Sequence, residues 1–237
     1  MYALLPSKKN LFHLDFSLFY CIIIVINNFL NMEKKYKLTE ETINVCGRTL
    51  YRIEALKDFG DVKKGDKDGF IEKEENLSQS GSCWVYYNAM VYGNAVVCDN
   101  AKVCDKASVF GNATVYGNAR VCSNAKVYDS AKVYDNAKVY GNAVVCDKAQ
   151  IYGNVEVHNN AMVCGNAQVY DNAKIYGNAV VSDKAMVYNN AKVYDNAIIS
   201  GKSVVCGYAI VLGNAKVYDN AKVYDEAKVY GNVWVFG

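Results

Sequence analysis

One histidine stands in the repetitive part of the chain, His158, two residues after Glu156. Residues two apart share a face of an extended strand, so the carboxylate can orient the imidazole as a general base. The opposing reading is a surface substitution, because His158 occupies a position that tyrosine holds in most neighbouring repeats. The chain has nine cysteines, none in a Cys-x-x-Cys spacing, which argues against a zinc site. Six of them (Cys98, Cys104, Cys122, Cys146, Cys164 and Cys206) fall in that same tyrosine position. They are expected to be slot-fillers, reduced thiols of a cytoplasmic protein. A three-histidine zinc site cannot be built from one such chain, and no glycine-rich nucleotide loop, nucleophile elbow or acidic metal cluster stands outside the repeat. No metal and no cofactor is expected.

What positions these residues is a period. Val or Ile recurs at every sixth residue from Val85 to Val235, 26 times without an insertion. In the unit Asn88-Ala89-Met90-Val91-Tyr92-Gly93, Ala and Val fall on one face of a short strand, and Met and Tyr fall on the other. Ala and Val are the near-invariant members. After Cys83 only Val155, Ser203 and Val233 interrupt the alanines. Their face is therefore the interior, with a small residue near each corner and a β-branched one in the middle of each wall. Gly or Asp usually stands two residues after the aliphatic, and Asn fills 18 of the 25 next positions. These residues tolerate positive φ and bond the local backbone, so the reading is geometric and not a calcium or phosphate loop. Stacked corners should align the Asn side chains into amide ladders. Three six-residue walls make an 18-residue triangular coil, about 8.5 coils in all, and a rod about 40 Å long at ~4.8 Å per coil.

Residues 18 apart then lie one above another. The first wall presents Lys102, Arg120, Lys138, Lys174, Lys192 and Lys228, broken by Glu156 and Ile210, beside a column that includes Tyr86, Tyr140, Tyr176 and Tyr194. Such a stripe can bind a polyanion or sugar chain, or be a solvated face with corner Asp residues neutralising the lysines. The second wall carries Val144 with Cys146, Met162 with Cys164, Val180 with Ser182, and Ile198 with Ser200. Four coils of apolar column predict an interface, here self-association with a trimer favoured. The third wall stacks Tyr116, Tyr134, Tyr152, Tyr170 and Tyr188, either as cross-strand stabilisation or as a carbohydrate platform.

Outside the repeat, residues 1–31 hold Lys8, Lys9 and an apolar run from Phe16 to Ile26. The run is short for a spanning helix, which needs roughly 17–25 residues, and no Ala-x-Ala cleavage site follows. The expectation is translation from Met32 and no stable membrane insertion, with a membrane-anchored or exported chain as the alternative. Residues 32–81 read as a small β cap with irregular first coils. Arg48 to Leu56 alternates as a strand does, and Ile71 to Leu77 already shows a six-residue step. Residues 82–237 form the solenoid. The net charge of +2 gives no case for nucleic acid. The only proline, Pro6, lies outside the repeat, as ladders that use nearly every N–H require.

The repeat resembles the hexapeptide left-handed β-helix, with the Gly/Asp moved one position later and Tyr in its place. The Val-Tyr-Gly-Asn-Ala and Val-Tyr-Asp-Asn-Ala units resemble the YdcK-type bacterial solenoids. So do Tyr51-Arg52-Ile53-Glu54-Ala55-Leu56, Asp58-Phe59-Gly60-Asp61-Val62, Lys64-Gly65-Asp66, Asn76-Leu77-Ser78 and Cys83-Trp84-Val85-Tyr86. Asp68-Gly69-Phe70 departs from the more usual Gly-Gly-Trp but keeps an aromatic. The resemblance implies an all-β, left-handed parallel β-helix with a small N-terminal β cap. The handedness rests on the resemblance, since the general crossover rule favours the opposite hand. The wider group includes many acyl-CoA-dependent acyltransferases with a His general base, often beside an inserted loop. This rod has His158 and no insertion. The leading expectation is a non-enzymatic structural or interaction rod, the alternative an acyltransferase using His158 and Glu156, and a third a glycan-binding platform on the Tyr116–Tyr188 wall. The partner beyond a second copy of the chain, protein or glycan, is open.

Overall fold

Every aliphatic of the six-residue period from Val85 to Val223 is buried, and so is every residue of the alanine position from Ala89 to Ala221. The two together line one continuous interior. The structure is a computed structural model that describes residues 33–237, and Lys35–Gly237 forms one compact unit. The apolar run Phe16–Ile26 and the expected start at Met32 lie outside the described residues.

Each hexad contributes a short strand whose second residue is the interior aliphatic, from Trp84–Val85 to Trp234–Phe236. Strands three hexads apart pair in parallel and in register, as Lys102 does with Arg120 and Arg120 with Lys138. The coil therefore closes after 18 residues, and about nine coils stack into a parallel β-solenoid. Three sheets result, of nine, twelve and eight strands, one for each wall. Three N–H groups of a hexad reach up one coil: Trp84 to Ala101 O (3.1 Å), Tyr86 to Val103 O (2.7 Å) and Asn88 to Asp105 O (3.0 Å). A fourth, from Ala89 to Tyr86 O (3.1 Å), closes the turn. A proline at any of these four positions would remove a donor from the stack.

Burying one valine is worth about 1.5–3 kcal/mol, against roughly 1–2 kcal/mol of backbone entropy for each ordered residue. One hexad cannot hold itself together on those terms, so stability is collective along the rod. Ser203, the polar exception in the alanine column, is fully buried and donates its hydroxyl to Ser200 O at 2.7 Å.

At the N-terminal end the second-wall sheet changes character. In its first three strands, β1 (Tyr36–Val45), β2 (Arg48–Ala55) and β3 (Lys67–Ile71), each runs antiparallel to the next. The β1–β2 turn sits on Cys46 and Gly47, both at positive φ. β3 then pairs in parallel with the first second-wall hexad, Ile71 opposite Val91. The six-residue step continues to Leu77, which bridges Val97.

The interior is closed here by Lys35, Tyr36 and Trp84, all essentially unexposed. The Lys35 ammonium donates to Cys83 O (3.0 Å), Ser80 O (3.4 Å) and Cys83 Sγ (3.2 Å). Burial pushes the Lys35 pKa down and the Cys83 thiol up. The Tyr36 hydroxyl is shared between Leu77 O and Glu74 O, and Trp84 Nε1 donates to Asp68 at 3.0 Å. Each polar atom drawn into the end of the core thus has a partner, without which its burial would cost a few kcal/mol.

Candidate functional site

The side chains able to do chemistry stand on the outer walls, where the in-register ladder places each directly over its counterpart 18 residues earlier. His158 lies in an aromatic stack on the first wall. Its ring packs face to face with Tyr140 (4.8 Å) and Tyr176 (5.1 Å), and Tyr176 continues to Tyr194 (4.7 Å). His158 Nδ1 lies 3.2 Å from Asn159 Oδ1. Glu156 turns to lysines of the neighbouring coils, 2.9 Å from Lys174 Nζ and 3.6 Å from Lys138 Nζ. The Lys174 ammonium holds the Glu156 carboxyl below the usual range. His158 and Glu156 share the first wall, but Glu156 pairs with lysines of its own column while the His158 ring stacks on tyrosines of its column and meets Asn159.

Glu156 also neutralises two members of the basic stripe. It sits between Lys138 and Lys174, and Asp61 pairs with Lys102 at 2.9 Å while accepting the Tyr86 hydroxyl at 2.6 Å. Among the described residues, Asp61 and Glu156 are the carboxylates that pair with the stripe. The corner aspartates expected in that role face the backbone instead. Asp99, Asp135, Asp147, Asp183 and Asp195 each accept the N–H of a glycine one coil further on.

The third wall carries the tyrosine ladder. Tyr116, Tyr134, Tyr152, Tyr170 and Tyr188 stack at 4.7–5.0 Å with rings within 5° of parallel. Burial between neighbouring rings pushes Tyr134 and Tyr170 up to about 12. The corners form the amide ladders expected of them. One runs from Asn124 through Asn142, Asn160, Asn178, Asn196 and Asn214 to Asn232 with spacings of 2.9–3.1 Å.

On the second wall the strip Val144, Met162, Val180 and Ile198 lies between Lys126 below and Lys216 above. Met162 is the most open of the four, 38% exposed. In the neighbouring column the stacked rings of Tyr92, Phe110 and Tyr128 give way to Cys146, Cys164, Ser182 and Ser200, and aromatics resume at Tyr218. Four small side chains between aromatic blocks leave the strip low in relief as well as uncharged. At the adjoining corner a recess of about 400 Å³ is lined by Asp129, Ser130, Asp147, Lys148, Gly165 and Asn166.

The cysteines differ from the expectation of reduced thiols. Cys104 and Cys122 form a disulfide, with Cα atoms 4.6 Å apart. The physical reason is the ladder, which brings equivalent outer residues of successive coils within the 4.4–6.8 Å that a disulfide spans. The signal was present in the 18-residue spacing of the two cysteines, which carries more information here than the missing Cys-x-x-Cys. The thiol argument for a cytoplasmic location loses this pair. No helix among the described residues is long and apolar enough to cross a membrane.

Comparison with known proteins agrees with this geometry. The YdcK β-solenoid repeat family matches residues 107–123, 131–147, 167–183 and 191–207. Each window opens on an interior alanine, Ala107, Ala131, Ala167 or Ala191. A stretch of 61 residues is 36% identical to a protein named uncharacterized acetyltransferase YdcK from Escherichia coli (strain K12). That stretch covers 22% of this chain and 19% of the relative. The chain is thus a parallel β-solenoid with an 18-residue coil, and over these four windows its repeats match the YdcK type.

Proposed function

We propose that the rod is a non-enzymatic interaction protein that associates with further copies of itself through its second wall, a trimer being the favoured assembly. The observation that carries this reading is the strip Val144, Met162, Val180 and Ile198, with Lys126 and Lys216 closing it at either end. A contiguous apolar column of this length is uncommon on a free surface. A second copy offers the same flat, uncharged face at the same ~4.8 Å rise, so the two can mesh without leaving a charge unpaired. The tyrosine wall acts in this reading as stabilisation of the stack. The experiment is multi-angle light scattering on the wild type and on Met162→Lys/Val180→Lys. Two lysines placed in the strip should reduce the assembly to monomer, and an unchanged oligomer removes the second wall as the interface.

One observation favours a second reading. The relative from Escherichia coli is named an acetyltransferase, and His158 is an imidazole on an outer wall. In that reading His158 is the general base of an acyl-CoA-dependent transfer. Calorimetric titration with acetyl-CoA separates the two proposals. Saturable micromolar binding that is lost in His158→Ala favours the transferase, and no heat of binding favours the interaction rod.

A further inference from the structure

The motif around the Cys104–Cys122 disulfide occurs a second time. Val103-Cys104-Asp105-Lys106-Ala107 precedes Cys122 by one coil, and Val145-Cys146-Asp147-Lys148-Ala149 precedes Cys164 by one coil. The strands that carry them pair in the same register, Lys102 with Arg120 and Val144 with Met162. The corner aspartates make the same contact, Asp105 with the N–H of Ser123 (2.8 Å) and Asp147 with that of Gly165 (2.8 Å). Cys146 and Cys164 are nevertheless free thiols, with their sulfurs and an Asp147 oxygen all within 4.8 Å of one another.

The two pairs differ in what lies above and below them. Cys104–Cys122 has a tyrosine at each end of its column, Tyr86 before it and Tyr140 after it. Cys146 likewise follows Tyr128 one coil earlier, and Cys146 is 7% exposed. Cys164 is more exposed and is followed one coil on by the small Ser182. In a chain whose second wall is not covered by another copy, one end of this pair is open to a reagent that must approach a sulfur in line.

We propose that Cys146 and Cys164 form a reversible dithiol–disulfide couple that reacts with low-molecular-weight disulfides, Cys164 taking up the reagent and Cys146 resolving it. The Cys164 thiolate attacks one sulfur of the external disulfide, forming a mixed disulfide and expelling one thiolate. The Cys146 thiolate then attacks Cys164 Sγ, closing the bond between coils and expelling the second thiolate. The protein loses two protons and two electrons, and the external disulfide is reduced to two thiols.

Burial is the largest influence on both thiols and raises them, Cys164 to about 11. Cys146, Asp147 and Asp183 add to the rise at Cys164. At Cys146, Asp129 and Asp147 raise the thiol further, and the Tyr128 hydroxyl opposes them. The reacting thiolate is thus scarce at neutral pH, and the rate should climb about tenfold per pH unit below the Cys164 value.

The test is incubation of the full chain with oxidised glutathione, followed by alkylation, non-reducing trypsin digestion and mass spectrometry. Lys148 separates the two cysteines, so closure yields a cross-link between Val139–Lys148 and Ala149–Lys174. Cys146→Ser should stop at a glutathione adduct on Cys164, and Cys164→Ser should leave Cys146 at least tenfold slower to react. Dithiothreitol should reopen the cross-link in the wild type. The proposal is overturned if both thiols remain alkylatable, if either pairs instead with Cys98 or Cys206, or if Cys146 takes the adduct as fast as Cys164. It is also overturned if the reduced protein retains stoichiometric zinc on these residues and gives no cross-link.

Discussion

The carboxylate of Asp135 accepts the backbone N–H of Gly153, 3.1 Å away and one coil further along the rod. Asp105, Asp171 and four other corner aspartates make the equivalent contact with Ser123, Asn189 and glycines. Asp135 and Gly153 both have positive φ, +58° and +76°, yet they are not interchangeable. A Cβ on Gly153 would lie 2.7 Å from Asp171 O of the next coil. The glycine permits close stacking, and the aspartate below it supplies an acceptor for an N–H left over from the ladder. At this position Asp supplies the acceptor, and the residue one coil on, most often Gly, supplies the N–H.

Asp135→Ala should therefore cost about 0.5–1.5 kcal/mol, the net worth of one such hydrogen bond, while Asp135→Asn, which keeps an acceptor, should cost less. Gly153→Ala should cost more than either, since it adds about 1–2 kcal/mol of left-handed strain to the contact with Asp171. Urea unfolding of the three variants gives the order. A Gly153→Ala protein as stable as wild type would contradict the close stacking.

The coil, its 18-residue closure and the contents of all three walls were legible in the sequence because a strict period leaves the chain one way to bury Val and Ala. The like-on-like ladders of Asn and Tyr follow from that period, whereas the bonds of individual exceptions to it do not. Cys104 and Cys122 each look like a substitute for Tyr, although the same 18-residue rule that stacks Tyr134 on Tyr116 also stacks these two sulfurs. In sequence Glu156 is a neighbour of His158 along the strand. The ladder instead offers it Lys138 and Lys174 across coils, where opposite charges face each other at the closest spacing the sheet allows. The plug of Lys35, Tyr36 and Trp84 had no periodic signal, because it depends on where a hairpin folds over the first coil.

The interior should respond to truncation as a packed core does. Ile175→Ala removes a fully buried side chain from the first wall, and a cost of about 2–5 kcal/mol is expected. In a one-dimensional stack each coil contacts only its neighbours, so the damage should stay local. Hydrogen exchange should accelerate in the coils holding Val157, Ile175 and Val193, and change least near Leu50 in the cap. Uniform acceleration along the whole rod would show that it unfolds as a single cooperative block.

The tyrosine ladder makes a prediction at high pH. Tyr134 and Tyr170 are raised to about 12 in the fold from an ordinary value of 10.0. A phenol raised on folding contributes stability in full below its unfolded value, and loses it as pH climbs toward its folded value. Stability should therefore fall between about pH 10 and 12. Ultraviolet titration should show part of the phenolate signal delayed in the native protein and restored to the ordinary value in denaturant. Tyr152→Ala, which opens the stack between Tyr134 and Tyr170, should lower both values. No change in the delayed fraction would mean the stacked rings are not what shields them.

Reduction tests the Cys104–Cys122 bond. The two residues are 18 apart in sequence, and cross-linking a loop of that size restricts the unfolded chain by about 3 kcal/mol. The wild type should melt at a lower temperature in the presence of a reductant. Cys104→Ser/Cys122→Ser should match the reduced protein and be insensitive to reductant, provided Cys146 and Cys164 are kept alkylated in both. The folded coil should change little on reduction, because the ladder from Cys104 N to Val121 O (2.9 Å) already holds the two strands in register. A large loss of β signal in the reduced protein at room temperature would mean that the bond, rather than the stack, keeps these coils in place.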